Sequence, residues 1–223
     1  MLEGKWSDPP DRQTGIRDFF MAGSASQLQQ LLNAIRQGDA QAQGEVLLRY
    51  QPWLLLLARL QSDTRFQGKF DASDIAQQTL LEALRALGQF RGQTEAELLA
   101  WLRQVLAHVI AHEVRRYGGA QKRDVGREVS LEQSLANSSQ RLGEMLAASA
   151  SSPSRQAARH EQEVLLAEVL ACLPADYREV LVLRNLEGLS HEEIAARMGR
   201  SVGAVRMLWV RALAQLREAM DMQ

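Results

Sequence analysis

Between residues 188 and 208 the chain carries helix punctuation at a spacing that few folds can accommodate. Gly188 suits the left-handed end of one helix, and Ser190 with Glu193 forms a capping box for the next, flanked by Leu189 and Ile194 as a hydrophobic staple. Gly199 can take the positive φ of a sharp turn before a further helix starts at Ser201. A short helix over 190–198, a turn at Gly199-Arg200 and a second helix is the spacing of a helix-turn-helix. The small Ala195 lets the two helices cross closely, while Ile194, Met198, Val205 and Leu208 point inward and fix the crossing. Burying Val205, Leu208 and Ala212 leaves Ser201, Ala204, Arg206, Met207 and Arg211 outward, with Arg200 at the turn. Arginine in such a place can address guanine edges or phosphates in a major groove.

The rest of the chain also reads as helix, so the expected fold class is all-α. Ala, Leu, Gln, Glu and Arg dominate, and these residues lose least entropy on entering a helix. Residues 1–25 show no sustained period and read as a loosely ordered extension. Leu28, Leu31, Leu32 and Ile35 then recur at helical spacing behind Ser26 and Gln29, a capping box. A second helix runs from about Ala40 to Leu60 with Val46, Leu47, Tyr50, Trp53, Leu54 and Leu57 inward and a bend expected at Pro52. The third begins near Asp71 or Ser73 and ends at Leu87-Gly88, with Ile75, Leu80, Leu84 and Leu87 inward. The fourth follows the capping box Thr94 to Glu97 and extends to about Tyr117.

Four helices over 26–118 thus form one small bundle. Residues 119–160, rich in Ser, Ala, Gln and Gly, read as a flexible linker with one short helix after Ser130. A second small helical domain occupies 161–220 and contains the helix-turn-helix; in it Pro174 suits a first helical turn.

Charge and composition exclude several functions. A formal net charge of -1 does not suit a free-standing nucleic-acid binder, although basic residues gather over 112–123 and along the C-terminal helices. The single cysteine, Cys172, cannot form an internal disulfide and falls in an apolar run where a thiol acts as a small hydrophobe. No signal core or membrane span is evident, so a cytoplasmic protein is expected. There is neither a phosphate-binding glycine loop nor a nucleophile with a base partner, so no enzyme is expected. His108 and His112 stand four apart but lack a cysteine cluster or an evident third ligand, so no metal and no cofactor are expected.

The runs Leu-Pro-Ala-Asp-Tyr-Arg-Glu-Val-Leu-Val-Leu-Arg (173–184), Glu-Gly-Leu-Ser-His-Glu-Glu-Ile-Ala (187–195) and Ser-Val-Gly-Ala-Val-Arg (201–206) resemble region four of bacterial sigma factors. Upstream, Asp-Ile-Ala-Gln-Gln-Thr-Leu-Leu-Glu-Ala-Leu (74–84), Gln-Phe-Arg-Gly (89–92) and Ala-Trp-Leu-Arg (100–103) resemble region two. Together they point to the sigma-70 family, of the small extracytoplasmic-function (ECF) type. The resemblance implies that Arg200, Ser201, Ala204, Arg206, Met207 and Arg211 read the minus-35 element. It implies that Phe90, Arg91, Gln93 and Thr94 form the loop that receives an unstacked base of the minus-10 element. Gln104, His108 and His112, four residues apart on the fourth helix, continue that face, and Arg115 and Arg116 extend it towards phosphate. Asp74, Gln77, Gln78 and Leu81 become candidates for binding core RNA polymerase. Family members usually carry glutamate at the position of Gln78 and often asparagine at that of His108. The partners implied are the beta and beta-prime subunits of the core, promoter DNA and, as a regulator, an anti-sigma factor.

The residues alone leave open a second reading, a dimeric helix-turn-helix regulator that binds paired half-sites without polymerase. That reading explains the C-terminal half only.

Overall fold

The computed structural model describes residues 25–65, 71–117, 131–138, 140–141 and 158–221. Every regular element among them is helical. In chain order they are α1 (Ala25–Arg36), α2 (Ala40–Arg65), α3 (Ala72–Ala86), α4 (Glu95–Tyr117), α5 (131–138), α6 (Ala158–Cys172), α7 (Ala175–Leu181), α8 (His191–Met198) and α9 (Val202–Asp221). The extension over 1–24 and most of the expected linker lie outside the described residues.

The first bundle forms because α1 to α4 each have one face that must leave water. Tyr50, Trp53, Leu54 and Leu57 of α2 are fully buried, and α3, the turn after it and α4 add Ile75, Leu87, Leu98, Leu102 and Leu106. Each such side chain removed from water stabilises the fold by roughly 1.5–3 kcal/mol. Local signals set the helix starts. Asp39 accepts hydrogen bonds from the amides of Gln41 (2.8 Å) and Ala42 (3.1 Å), and Asp71 accepts from the amide of Ser73 (2.7 Å).

Several details differ from the sequence reading. α1 includes Ala25, so Ser26 lies within its first turn rather than before it, and α2 continues past Leu60 to Arg65 with Pro52 inside. Leu84 is not inward but 42% exposed, because the helical period carries it round to the outer face next to Leu81. Gly88 does not take a left-handed conformation; it sits in a 3-10 turn, Leu87–Gln89, that tightens the end of α3. Cys172 is exposed rather than buried, since it ends α6 where the helix leaves the core. Pro174 stands just ahead of α7 as its N-cap residue.

In the C-terminal half, α7 runs into a wider π turn, Val182–Leu186, in which the Glu187 amide donates to the Val182 carbonyl five residues back (3.0 Å). Gly188 at φ 77° then lets the Leu189 amide return to the Leu183 carbonyl (3.0 Å) and close the helix. The two halves touch. α6 packs against α2 and α4, and α5, the short helix expected after Ser130, buries Leu131 and Leu135.

Candidate nucleic-acid interface and polymerase-binding face

The helix-turn-helix has the geometry that its punctuation requires. The Ser190 hydroxyl accepts from the Glu193 amide (3.2 Å) while the Glu193 carboxylate accepts from the Ser190 amide (2.8 Å). The Ser190 backbone amide first, and the Ser190 hydroxyl second, hold the Glu193 carboxyl below the usual carboxylate range. Gly199 ends α8 at φ 63°, and Ile194 of α8 and Val205 and Ala212 of α9 are fully buried.

The crossing leaves one side of α9 facing solvent. Ser201, Ala204, Arg206, Met207 and Arg211 are all exposed, as is Arg200 at the turn. Met207 (55% exposed) stands at the centre, with Ala204 and Arg211 to one side of it and Arg206 to the other, as a step of about 100° per residue dictates. Two of the arginines are steadied from neighbouring helices. Arg200 pairs with Asp176 of α7 at 2.5 Å, and Arg206 lies 3.5 Å from Glu192 of α8. Sequence reasoning missed Val210, 54% exposed and three residues beyond Met207 on the same face. The three-residue step from Met207 was the signal. Trp209, by contrast, turns partly inward and donates from Nε1 to Asn185 Oδ1 (3.1 Å).

The second candidate surface is built around the start of α4. Glu97 accepts from the amides of Gln93 (2.8 Å) and Thr94 (3.0 Å) and from the Thr94 hydroxyl (2.9 Å), which holds its carboxyl below the usual range. Phe90 folds back onto Trp101, ring centroids 5.3 Å apart, while Arg91, Gln93 and Thr94 stay exposed. Arg36 of α1 secures the loop from outside, donating to the Gly92 carbonyl at 2.6 Å. That contact spans fifty-six residues, and nothing in the sequence pattern signals it.

Along α4, Gln104, His108 and His112 form an exposed stripe that continues from this loop, and Arg116 is exposed beyond it with Arg115 half-buried. Leu98, Leu102 and Val109 hold the opposite side of the helix in the core. The loop and stripe therefore make one continuous polar surface. On α3, Asp74, Gln77, Gln78 and Leu81 are exposed together, and Gln78 donates to Glu82 (3.1 Å). Leu81 (50% exposed) and Leu84 add an apolar edge to this face. Apolar side chains beside amide groups suit a protein partner better than nucleic acid.

Among the described residues no helix is long and apolar enough to cross a membrane, and no group of three or more His, Cys, Asp or Glu side chains could hold a metal ion.

Comparison with known proteins matches the same two parts of the chain. Residues 47–119 match the model for sigma-70 region 2, and residues 163–216 match that for sigma-70 region 4. The RNA polymerase sigma-H factor of Pseudomonas aeruginosa is 33% identical over 194 residues, covering 86% of this chain and 91% of that protein. The ECF RNA polymerase sigma factor SigD of Mycobacterium tuberculosis is 33% identical over 181 residues (81% and 78%). The ECF RNA polymerase sigma-E factor of Escherichia coli is 30% identical over 194 residues (86% and 92%). A region-two bundle and a region-four helix-turn-helix in that order, shared with relatives over 78% to 91% of their length, make this chain a member of the ECF sigma factors, which direct promoter-specific initiation of transcription.

Proposed function

We propose that the three exposed faces divide the work of initiation. The outward side of α9, with Arg200, Ser201, Ala204, Arg206, Met207 and Arg211, enters the major groove of the minus-35 element. The loop Phe90 to Thr94 and the stripe Gln104, His108 and His112 take the minus-10 element, with Arg115 and Arg116 on adjacent phosphates. Asp74, Gln77, Gln78 and Leu81 dock on the core polymerase through its beta-prime subunit, and the C-terminal unit docks on beta. The working domains on this reading are 26–118 and 161–220, joined through 119–160.

The observation that carries the reading is that the polar side chains placed on α3, α4 and α9 are exposed, Arg115 alone half-buried, on helices whose opposite faces are in the core. Unstacking a base costs a few kcal/mol, offset by its capture in the loop and by phosphate contacts. Opening therefore needs no nucleotide hydrolysis, and the chain catalyses nothing and works without a cofactor. Its place is the cytoplasm, with its polymerase and promoters, and an anti-sigma factor is a further partner on this reading. The low net charge fits a protein whose affinity for DNA is supplied jointly with the core.

The test is to mix the purified chain with sigma-free core polymerase and follow co-elution and run-off transcription from a promoter library. The expected result is a complex with new start sites that depend on the chain. A complex with no new start sites would refute the assignment of the reading faces.

A further inference from the structure

Between the 3-10 turn and Thr94 the chain has no regular secondary structure, so the backbone groups of this loop take their partners from side chains. Arg91 folds back and donates from Nη1 to the Gly88 carbonyl at 3.0 Å and to the Phe90 carbonyl at 3.4 Å. Arg36, the last residue of α1, donates from Nη2 to the Gly92 carbonyl at 2.6 Å and to the Arg91 carbonyl at 3.5 Å. Its Nη1 donates to Asn33 Oδ1 at 2.9 Å, so the guanidinium plane is anchored to α1 at one end and grips the loop with the other.

The grip falls on one peptide group. The carbonyl of Gly92 and the amide of Gln93 belong to the same planar unit. Arg36 holds that carbonyl, and Glu97 of α4 holds that amide at 2.8 Å. A guanidinium from α1 and a carboxylate from α4 therefore clamp a single peptide plane from its two ends. Without the clamp, glycine at 92 would give this plane the widest choice of direction that any residue allows.

The anchors differ in kind. Arg91 is part of the loop, and Phe90 and Glu97 tie it to α4. Arg36 ties it to a helix more than fifty residues away in the chain. Its base is firm, since Leu32 and Ile35 of α1 are each only 3% exposed, while the Arg36 side chain itself lies in solvent. Its removal thus leaves the core of the bundle intact.

We propose that Arg36 is a positioning residue for base reading at the minus-10 element: by clamping the Gly92–Gln93 peptide against Glu97 it sets the direction in which Gln93 and Thr94 meet the unstacked base. The inference rests on the assignment of this loop to the minus-10 element. Both side chains are exposed and follow directly on the clamped plane. A pocket for an extruded base discriminates through hydrogen-bonding groups held in fixed positions, so a freely turning plane would admit more than one base.

The test is transcription by holoenzyme reconstituted with the full chain, Arg36→Ala, Arg36→Lys, Asn33→Ala or Gln93→Ala, on a promoter library randomised over the minus-10 element and read by sequencing the transcripts. With Arg36→Ala the preference for the best base over the next at the unstacked position should fall about fivefold, the worth of one hydrogen bond. Asn33→Ala should lower it less, and lysine, which keeps the charge but not the planar fork, should restore it in part. Helix content, core co-elution and minus-35 protection should stay as in the wild type. A wild-type preference in Arg36→Ala, with an altered one in Gln93→Ala, would overturn the proposal and leave the loop assignment standing. Unchanged preference in both would remove the loop assignment and the proposal with it. An equal loss on every sequence with a shallower salt dependence would make Arg36 a phosphate contact, and would overturn its positioning role.

Discussion

Phe90 lies against Trp101 with ring centroids 5.3 Å apart and planes inclined at 41°, and the contact exists because residue 92 is glycine. A Cβ at Gly92 would stand 2.3 Å from Phe90 Cζ and 3.0 Å from Glu97 Cβ. The loop that leads into the α4 surface is therefore folded around one missing side chain.

Gly92→Ala should drive the Phe90 ring off Trp101 and open the loop. A tilted aromatic pair is worth about 0.5–1.5 kcal/mol beyond its buried area. The expected outcome is a shift in tryptophan emission and slower promoter melting, with core binding unchanged. Stopped-flow fluorescence on a promoter labelled in the minus-10 element measures the second effect.

Gly199→Ala should weaken the helix-turn-helix through the backbone alone. Nothing lies within 4 Å of a Cβ placed there, but φ is 63°, a conformation that costs a residue with a side chain about 1–2 kcal/mol. Urea unfolding should show a loss of that size, and Gly199→Asn a smaller one.

Tyr50 donates from its hydroxyl to Glu95 Oε1 at 2.8 Å, and burial with the neighbouring carboxylate pushes its pKa up. Tyr50→Phe removes that bond but leaves Arg49 at 3.7 Å from Glu95. The expected loss is about 1 kcal/mol, read from the denaturation midpoint.

Glu168 should make stability depend on pH. Burial, opposed by Arg49 and aided by Glu95, raises its carboxyl to about 7. The folded chain then holds a proton that the unfolded chain has already released, so stability falls as pH rises from the ordinary carboxyl range through about 7 and levels off above it. The unfolding midpoint should rise between pH 8 and pH 5.5, and Glu168→Gln should remove the part of that rise due to this group.

The fold was most legible where a residue type acts locally. The Ser190 and Glu193 box, the Thr94 and Glu97 box, Gly188 and Gly199 all stand where their backbone chemistry puts them, and the α2 core positions follow from helical period. What the sequence concealed is mostly non-local. Arg36 reaching Gly92, Arg59 meeting Glu179 and Asp176 steadying Arg200 depend on how helices far apart in the chain are brought together. The π turn at 182–186 was hidden for another reason, since Val-Leu-Arg-Asn-Leu reads as an ordinary helix and only the five-residue hydrogen bond reveals it. Leu84 was misplaced because an apolar residue on a helix was taken as core, whereas the outer face of α3 is itself partly apolar.

The division of work between α4 and α9 is tested most directly by footprinting the reconstituted holoenzyme on a promoter while probing unpaired thymines in the minus-10 element. With Arg211→Ala and Met207→Ala together in α9, protection of the minus-35 element should be lost. With Gln104→Ala and His108→Ala in α4, that protection should persist while the reactivity of the unpaired thymines falls. Loss of minus-35 protection from the α4 pair, or unchanged protection with the α9 pair, would contradict the assignment.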